Sequence, residues 1–221
     1  MLAPYAKREV FWITLVGAGV TALTTWLAGW WAVLPAALAA ALLMFYRDPP
    51  RRVRSGDKIL LAPADGKIMS VERDYRPGPD ERPQIRIVIF LSVFNVHINR
   101  TPCRGRVVAV EHTPGLYLNA LKAEATARNA NTLVIIDPQP PLVGPVYVRQ
   151  VAGLLAKRIV CTLSPGDHVE AGQRYGMIKL GSQTEVRLPA DPCWQVWVQP
   201  GQKVRAGLTV LARCQQPEER P

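Results

Sequence analysis

From Val10 to Tyr46 the chain runs for 37 positions without an aspartate, glutamate, lysine, arginine or histidine. A secretory leader needs far less, because its apolar region spans about 7–15 residues. As a single helix the stretch would be about 55 Å long, against about 30 Å of membrane hydrocarbon. Two short spans fit better, and Gly29, Trp30, Trp31 and Pro35 supply a break near the middle. Phe11 and Trp12 at one end, Phe45 and Tyr46 at the other, and Trp26, Trp30 and Trp31 between them place aromatic residues where a hairpin meets its two interfaces. Lys7 and Arg8 precede the segment; Arg47, Arg51, Arg52, Arg54 and Lys58 follow it, so both flanks carry the charge retained on the cytoplasmic side. The expectation is a transmembrane helical hairpin in the inner membrane with the remainder of the chain on the cytoplasmic face. One long tilted helix is the alternative, and it would put the domain on the other side.

Lysine and arginine number 27 against 17 aspartate and glutamate, a formal net charge of +10. Basic clusters beside a membrane attract anionic lipid by about 1 kcal/mol per residue near the surface. Nucleic acid is the competing partner, but the sequence has no helix-turn-helix, zinc or aromatic RNA-binding pattern to accompany the charge. Anionic lipid is the expected partner. Cys103, Cys161, Cys193 and Cys214 lie far apart with no C-x-x-C spacing, which argues against a disulfide framework or a metal site and for reduced thiols.

After "YRDPPRRVRSGD" short apolar runs alternate with Gly and Pro, the signature of strands. Expected strands include Gly66–Glu72, Gln84–Phe90, Gly105–His112, Val146–Val151, Arg174–Lys179 and Thr184–Leu188. Only Leu116–Arg128 has helical composition. "SPGDHVEAG" at Ser164–Gly172 and "QPGQKVRAG" at Gln199–Gly207 share P-G-x-x-V-x-A-G, which describes a tight loop reversing a strand over one inward valine. Loops of this kind recur in barrel-sandwich folds such as biotinyl and lipoyl domains. The expected fold is therefore mainly β and barrel-sandwich-like with one short helix. Its expected divisions are a cytoplasmic N-terminus (1–9), a membrane anchor (10–46), a basic connector (47–57) and a globular domain (58–221).

The pair Gly181-Ser182 stands where a strand ought to continue. A serine hydroxyl can attack the preceding carbonyl and move the acyl group from N to O, and a glycine there removes the Cβ that blocks the approach. The ester can then lose its carboxylate by β-elimination, and the dehydroalanine left behind hydrolyses to a pyruvoyl group. A base is needed, and histidine, a residue type whose ordinary pKa lies near working pH, is available at His97 in "FLSVFNVHINRTPCRGRV". Asp65 in "APADGKI" is a carboxylate able to orient it. His112 is the alternative base, His168 reads as solvent-facing, and Lys179 reads as a strand residue and not as a modified lysine.

Taken together, "YRDPPR", "ADGKI", "FLSVFNVHINRTP", "GLYLNALKA", "GLLAKRIV" and "GQRYGMIKLGSQTEV", in this order, resemble the short bacterial and archaeal form of the phosphatidylserine decarboxylases. The resemblance implies a proenzyme that cuts itself between Gly181 and Ser182 into a β chain (1–181) and an α chain (182–221) that stay associated. It further implies that Ser182 becomes a covalent pyruvoyl group, and that Asp65, His97 and Ser182 act as orienter, base and nucleophile. Decarboxylation would follow from a Schiff base between that group and the amine of phosphatidylserine, releasing phosphatidylethanolamine, with His97 the proton donor. Two positions depart from the pattern. Arg100 stands where longer members carry a second histidine, and "ATARNANTLV" lacks their Glu and Arg. A non-catalytic reading also remains, that of a membrane-tethered, lipoyl-like adaptor or binding module, although no sustained heptad pattern accompanies it.

Overall fold

The apolar N-terminal run breaks where glycine allows it. In the computed structural model, which describes residues 1–54, 56–78, 82–119, 124–154, 158–179 and 182–215, helix α1 (Lys7–Ala28) ends at Gly29, whose φ of 56° is left-handed. A 3₁₀ turn over Gly29–Ala32 follows, then α2 (Val33–Phe45). The two helices run antiparallel: Leu2 bridges Arg47, and the Ala3 N–H donates to the Tyr46 carbonyl at 2.7 Å. They also pack closely, since a Cβ on Gly17 would lie 2.7 Å from that of Ala39. The stretch Pro4–Phe45 has a mean hydropathy of 1.9 over its most apolar window, with none of that window buried, and is long and apolar enough to cross a membrane. By rise per residue α1 is about 33 Å long and α2 about 20 Å.

Residues Met1–Pro50 and Arg51–Pro221 are separate compact units. The second is built from antiparallel strands. Its main sheet has eight, in the order β13 (Lys203–Val204), β2 (Gly66–Tyr75), β3 (Gln84–Leu91), β11 (Ser182–Pro189), β7 (Val146–Val151), β6 (Asn131–Pro138), β5 (Gly105–Thr113) and β9 (His168–Val169). Two three-stranded sheets accompany it: β1 (Ile59–Leu61), β14 (Val210–Cys214) and β12 (Trp194–Val196), and β4 (Ile98–Arg100), β10 (Arg174–Ile178) and β8 (Ile159–Cys161). The core gathers Ile85, Ile87, Ile89 and Leu91 of β3, Val134 and Ile136 of β6, Val146 and Val148 of β7, and Val186 and Leu188 of β11. That is one residue in two on each strand, as a sheet with one inward face requires.

The domain repeats its own hydrogen bonding. Leu61 N–H donates to the Pro102 carbonyl while Arg100 N–H donates to that of Pro63, both at 2.8 Å. Ile68 and Val107 bond Gln202 and Asp167 in the same way, and Gly207 and Gly172 bond Ala62 and Thr101. Two modules result, β1–β3 with β11–β14 and β4–β6 with β7–β10, meeting where β11 pairs with β7. The two P-G-x-x-V-x-A-G loops supply β9 and β13, the opposite edges of the main sheet, each tucking its valine (Val169, Val204) into the core. Their glycines 166, 172, 201 and 207 all have φ between 72° and 97°, which accounts for glycine at these positions. A second repeat pairs with the first: Ala62-Pro63-x-x-Gly66 and Thr101-Pro102-x-x-Gly105.

The helix expected over Leu116–Arg128 is shorter. Residues 120–123 lie outside the described residues, α3 covers Ala125–Arg128, and Leu116 instead bridges Asn129. The Asn129 side chain fastens this segment by bonding the Leu118 N–H and carbonyl at 2.8 and 2.9 Å, and these bonds compete with a helical course.

Candidate active site

Ser182 opens β11, the strand with the most complete pairing in the sheet. It stands opposite Leu91 of β3, and on its other side Gln183 pairs with Val151 of β7. Ser182 shares the inward face with Thr184, Val186 and Leu188 and is fully buried. Its Oγ has no hydrogen-bond partner among the described residues. A buried hydroxyl in that condition is rare enough to need a cause. Gly181, the other half of the expected scissile pair, lies outside the described residues.

His97 is also fully buried. It extends the β4–β10 ladder by one residue, its carbonyl accepting from the Ile178 N–H at 3.2 Å, close in sequence to the Gly181-Ser182 pair. Two residues along, Asn99 donates to the Thr184 Oγ1 at 3.2 Å and accepts from the Gln150 Nε2 at 2.9 Å, so β4 lies over the inward face of β11 and β7. Arg100 is buried and donates to the Gly172 carbonyl at 2.9 Å.

Asp65 immediately precedes β2 at the same end of the sheet. Lys67 pairs with Phe90 and Phe90 with Gln183, so Asp65 lies two strands from Ser182, about 10 Å across. Both its oxygens accept from Arg51, at 2.6 and 2.7 Å, and Oδ1 also accepts from the Ala206 N–H at 2.8 Å. A carboxylate has about four acceptor positions, so Oδ2 retains capacity for one more donor. Close packing holds this corner: a Cβ on Gly66 would fall 2.2 Å from the Phe90 carbonyl oxygen. Arg51, read from sequence as a collector of anionic lipid, is instead committed, its side chain only 7% exposed. It pairs with Asp65 and donates to the Ala206 carbonyl at 2.8 Å.

His112 lies on the row Thr184–Gln150–Thr132–His112 that crosses the inward face, three strands and about 14 Å from β11. That is too far for direct proton transfer with Ser182. It pairs with Thr132, Nδ1 to Oγ1 at 2.9 Å. His168 is exposed on β9 as expected.

The outward face of the same strands holds a charge cluster that sequence reading missed. Glu185 is fully buried between Arg86 (2.7 Å), Arg149 (2.9 Å) and Arg187 (3.2 Å). Burial works against the Arg86 charge, but Glu185 and Glu72 outweigh it and raise the guanidinium pKa. Alternation placed these residues on one face, yet only the pairing register brings Arg86, Glu185 and Arg149 together. Cys193 and Cys214, distant in sequence, bring their sulfurs within 2.7 Å as thiols. Among the described residues no cluster of His, Cys, Asp or Glu could hold a metal ion.

The chain matches the family model for phosphatidylserine decarboxylase over residues 38–212. It is 42% identical over 213 residues to a phosphatidylserine decarboxylase proenzyme of Rhodopirellula baltica, covering 94% of this chain and 86% of that one. Identity to the proenzyme of Cupriavidus metallidurans is 40% over 215 residues, and to that of Nitrosomonas eutropha 42% over 211, each covering 95% of both chains. A match of this length, whose range includes Asp65, His97 and Ser182, places the chain in the phosphatidylserine decarboxylase family as a decarboxylase.

Proposed function

We propose that this chain is a self-processing, pyruvoyl-dependent decarboxylase of phosphatidylserine, held to the inner membrane by its N-terminal hairpin with the catalytic domain on the cytoplasmic face. The observation that carries the reading is Ser182: a buried hydroxyl at the first position of a central strand, without a hydrogen-bond partner among the described residues. Such a group is costly to keep unless the site uses it. Ser182 is the nucleophile toward the Gly181 carbonyl, and His97, buried at the end of β4, takes its proton. Asp65, held by Arg51 and the Ala206 N–H, orients that end of the site through the remaining acceptor position of Oδ2.

The burial of Ser182 suits a pyruvoyl group, which is neutral and no larger than a serine residue. When present, that group supplies an electrophilic carbonyl for the amine of the substrate and an electron sink for loss of carbon dioxide. The chain's own residues do the rest. The inward face of β7 and β11, roofed by Asn99, excludes water, and His97 returns a proton to the carbon that lost its carboxylate. Cleavage need not release the α chain, since β11 is paired on both sides, with β3 and β7, and β13 and β14 are paired with β2 and β1.

The loops bearing Val169 and Val204 and the two-module repeat support a barrel-sandwich-like reading of the domain. A hairpin whose two ends meet at Leu2 and Arg47 suits an enzyme whose diacyl substrate does not leave the bilayer. The test is carbon dioxide release from phosphatidylserine in vesicles. Wild type is expected to release it and to lose activity with phenylhydrazine, while Ser182→Ala releases none. Full activity in Ser182→Ala would refute the reading.

A further inference from the structure

The reading of Ser182 says where the reacting amine goes and leaves open how the rest of the head group lies. A cavity of about 330 Å³ opens at the ends of β5–β7, lined by His112, Thr113, Pro114, Ala130, Asn131, Thr132, Ala152 and Ile159. The sheet register ties it to Ser182. Gln183 pairs with Val151 and Val151 with Asn131, so Ser182, Ala152, Ala130 and Pro114 form one inward row. Thr184, Gln150, Thr132 and His112 form the next. Beyond Ser182 the first row carries only small or cyclic side chains, and from Ala152 to Pro114 these, with Thr132 and His112 of the second row, line the cavity as a trough that stops short of the fully buried Ser182, Thr184 and Gln150. The Gln150 amide nitrogen donates to Asn99 and to the Val160 carbonyl, and its Oε1 has no partner among the described residues.

We infer that the serine head group lies along this trough, its amine at the inner end toward Ser182 and Gln150, and its phosphodiester at the mouth, where His112 and Thr132 bind it. Dimensions support the assignment. From the amine to the phosphorus are four bonds, about 5 Å end to end, and a hydrogen bond adds about 3 Å. The strand of Thr132, over which the His112 ring is held, lies about 10 Å from that of Ser182. In the tautomer whose Nδ1 accepts from the Thr132 hydroxyl, the imidazole proton is on Nε2 and can donate to a phosphate oxygen. His112 is thus a specificity residue that selects a phosphodiester over a bare amino acid.

This inference rests on the function proposed above, and its test separates the two. The probe is sn-glycero-3-phospho-L-serine, titrated calorimetrically into the full-length Ser182→Ala chain in detergent, which binds without turning over. Adding His112→Ala, or Ala130→Leu to fill the trough, is expected to weaken binding about tenfold or more. In the self-cleaved enzyme His112→Ala should raise KM for short-chain phosphatidylserine with little change in kcat, a pattern that general loss of structure would not give. Probe affinity unchanged in both variants, or no binding by the Ser182→Ala parent, overturns the subsite. Binding that responds to both substitutions in a chain whose wild type releases no carbon dioxide would instead leave the subsite standing and remove the decarboxylation reading.

Discussion

Replacing Arg51 by methionine isolates the ion pair that fixes the Asp65 corner. The guanidinium makes three bonds, two to Asp65 and one to the Ala206 carbonyl, and both side chains are nearly withdrawn from water, at 7% and 10% exposure. Methionine fills similar space but leaves the carboxylate with the Ala206 N–H alone. Stranding one member of a buried pair costs about 3–5 kcal/mol. With an m-value of about 2 kcal/mol/M, a loss of about 4 kcal/mol moves the urea midpoint down by about 2 M. The assay is urea unfolding followed by tryptophan fluorescence, in a Ser182→Ala background so that every sample is a single chain. Asp65→Asn added to Arg51→Met should recover part of the loss by removing the stranded charge. Arg51→Lys should recover less than wild type because an ammonium cannot bridge both oxygens. A midpoint shift under about 0.5 M for Arg51→Met, with weakened binding to anionic vesicles, would refute the structural assignment and return Arg51 to the membrane surface.

Gly66→Ala and Gly105→Ala each drive a Cβ into a neighbouring carbonyl, at 2.2 and 2.3 Å, and overpacking of this kind costs about 1–3 kcal/mol. Both should lower the melting temperature, but only Gly66→Ala, beside Asp65, should slow self-cleavage on a gel time course. Glu185→Gln leaves Arg86, Arg149 and Arg187 without their shared anion, and a loss of about 3–5 kcal/mol is expected by denaturant titration. Burial pushes the Cys103 thiol up to about 12. The unfolded chain therefore ionises this thiol first, binds fewer protons, and gains on the fold as pH rises from about 9 to 12, at up to about 1.4 kcal/mol per pH unit. Cys103→Ala should flatten that part of the stability profile.

What was legible in the sequence follows from what physics writes locally. An uncharged run of 37 residues broken at Gly29 announces paired apolar helices, and the Pro-Gly and Ala-Gly brackets around Val169 and Val204 announce turns that demand positive φ. The matching repeat at Ala62–Gly66 and Thr101–Gly105 was equally present, but only a proline and a glycine survive in common, too little to see without the shared hydrogen bonds. β4 escaped because His97, Asn99 and Arg100 are polar, and they are buried there only because Ile178, Thr184, Gln150 and Gly172 receive them. Arg51 was misread for the complementary reason: a basic residue beside a membrane segment looks like a lipid contact until Asp65, fourteen residues away, is folded against it. Ser182 was singled out by chemistry and not by pattern. Its burial on the inward face became visible only with the pairing to Leu91.

The most direct test of self-processing is intact mass under denaturing conditions, wild type against Ser182→Ala. Two wild-type fragments matching residues 1–181 and 182–221, the smaller beginning with a pyruvoyl group in place of serine, and one uncut Ser182→Ala chain are the predicted result. A single 24.4 kDa wild-type species in an active preparation would contradict it.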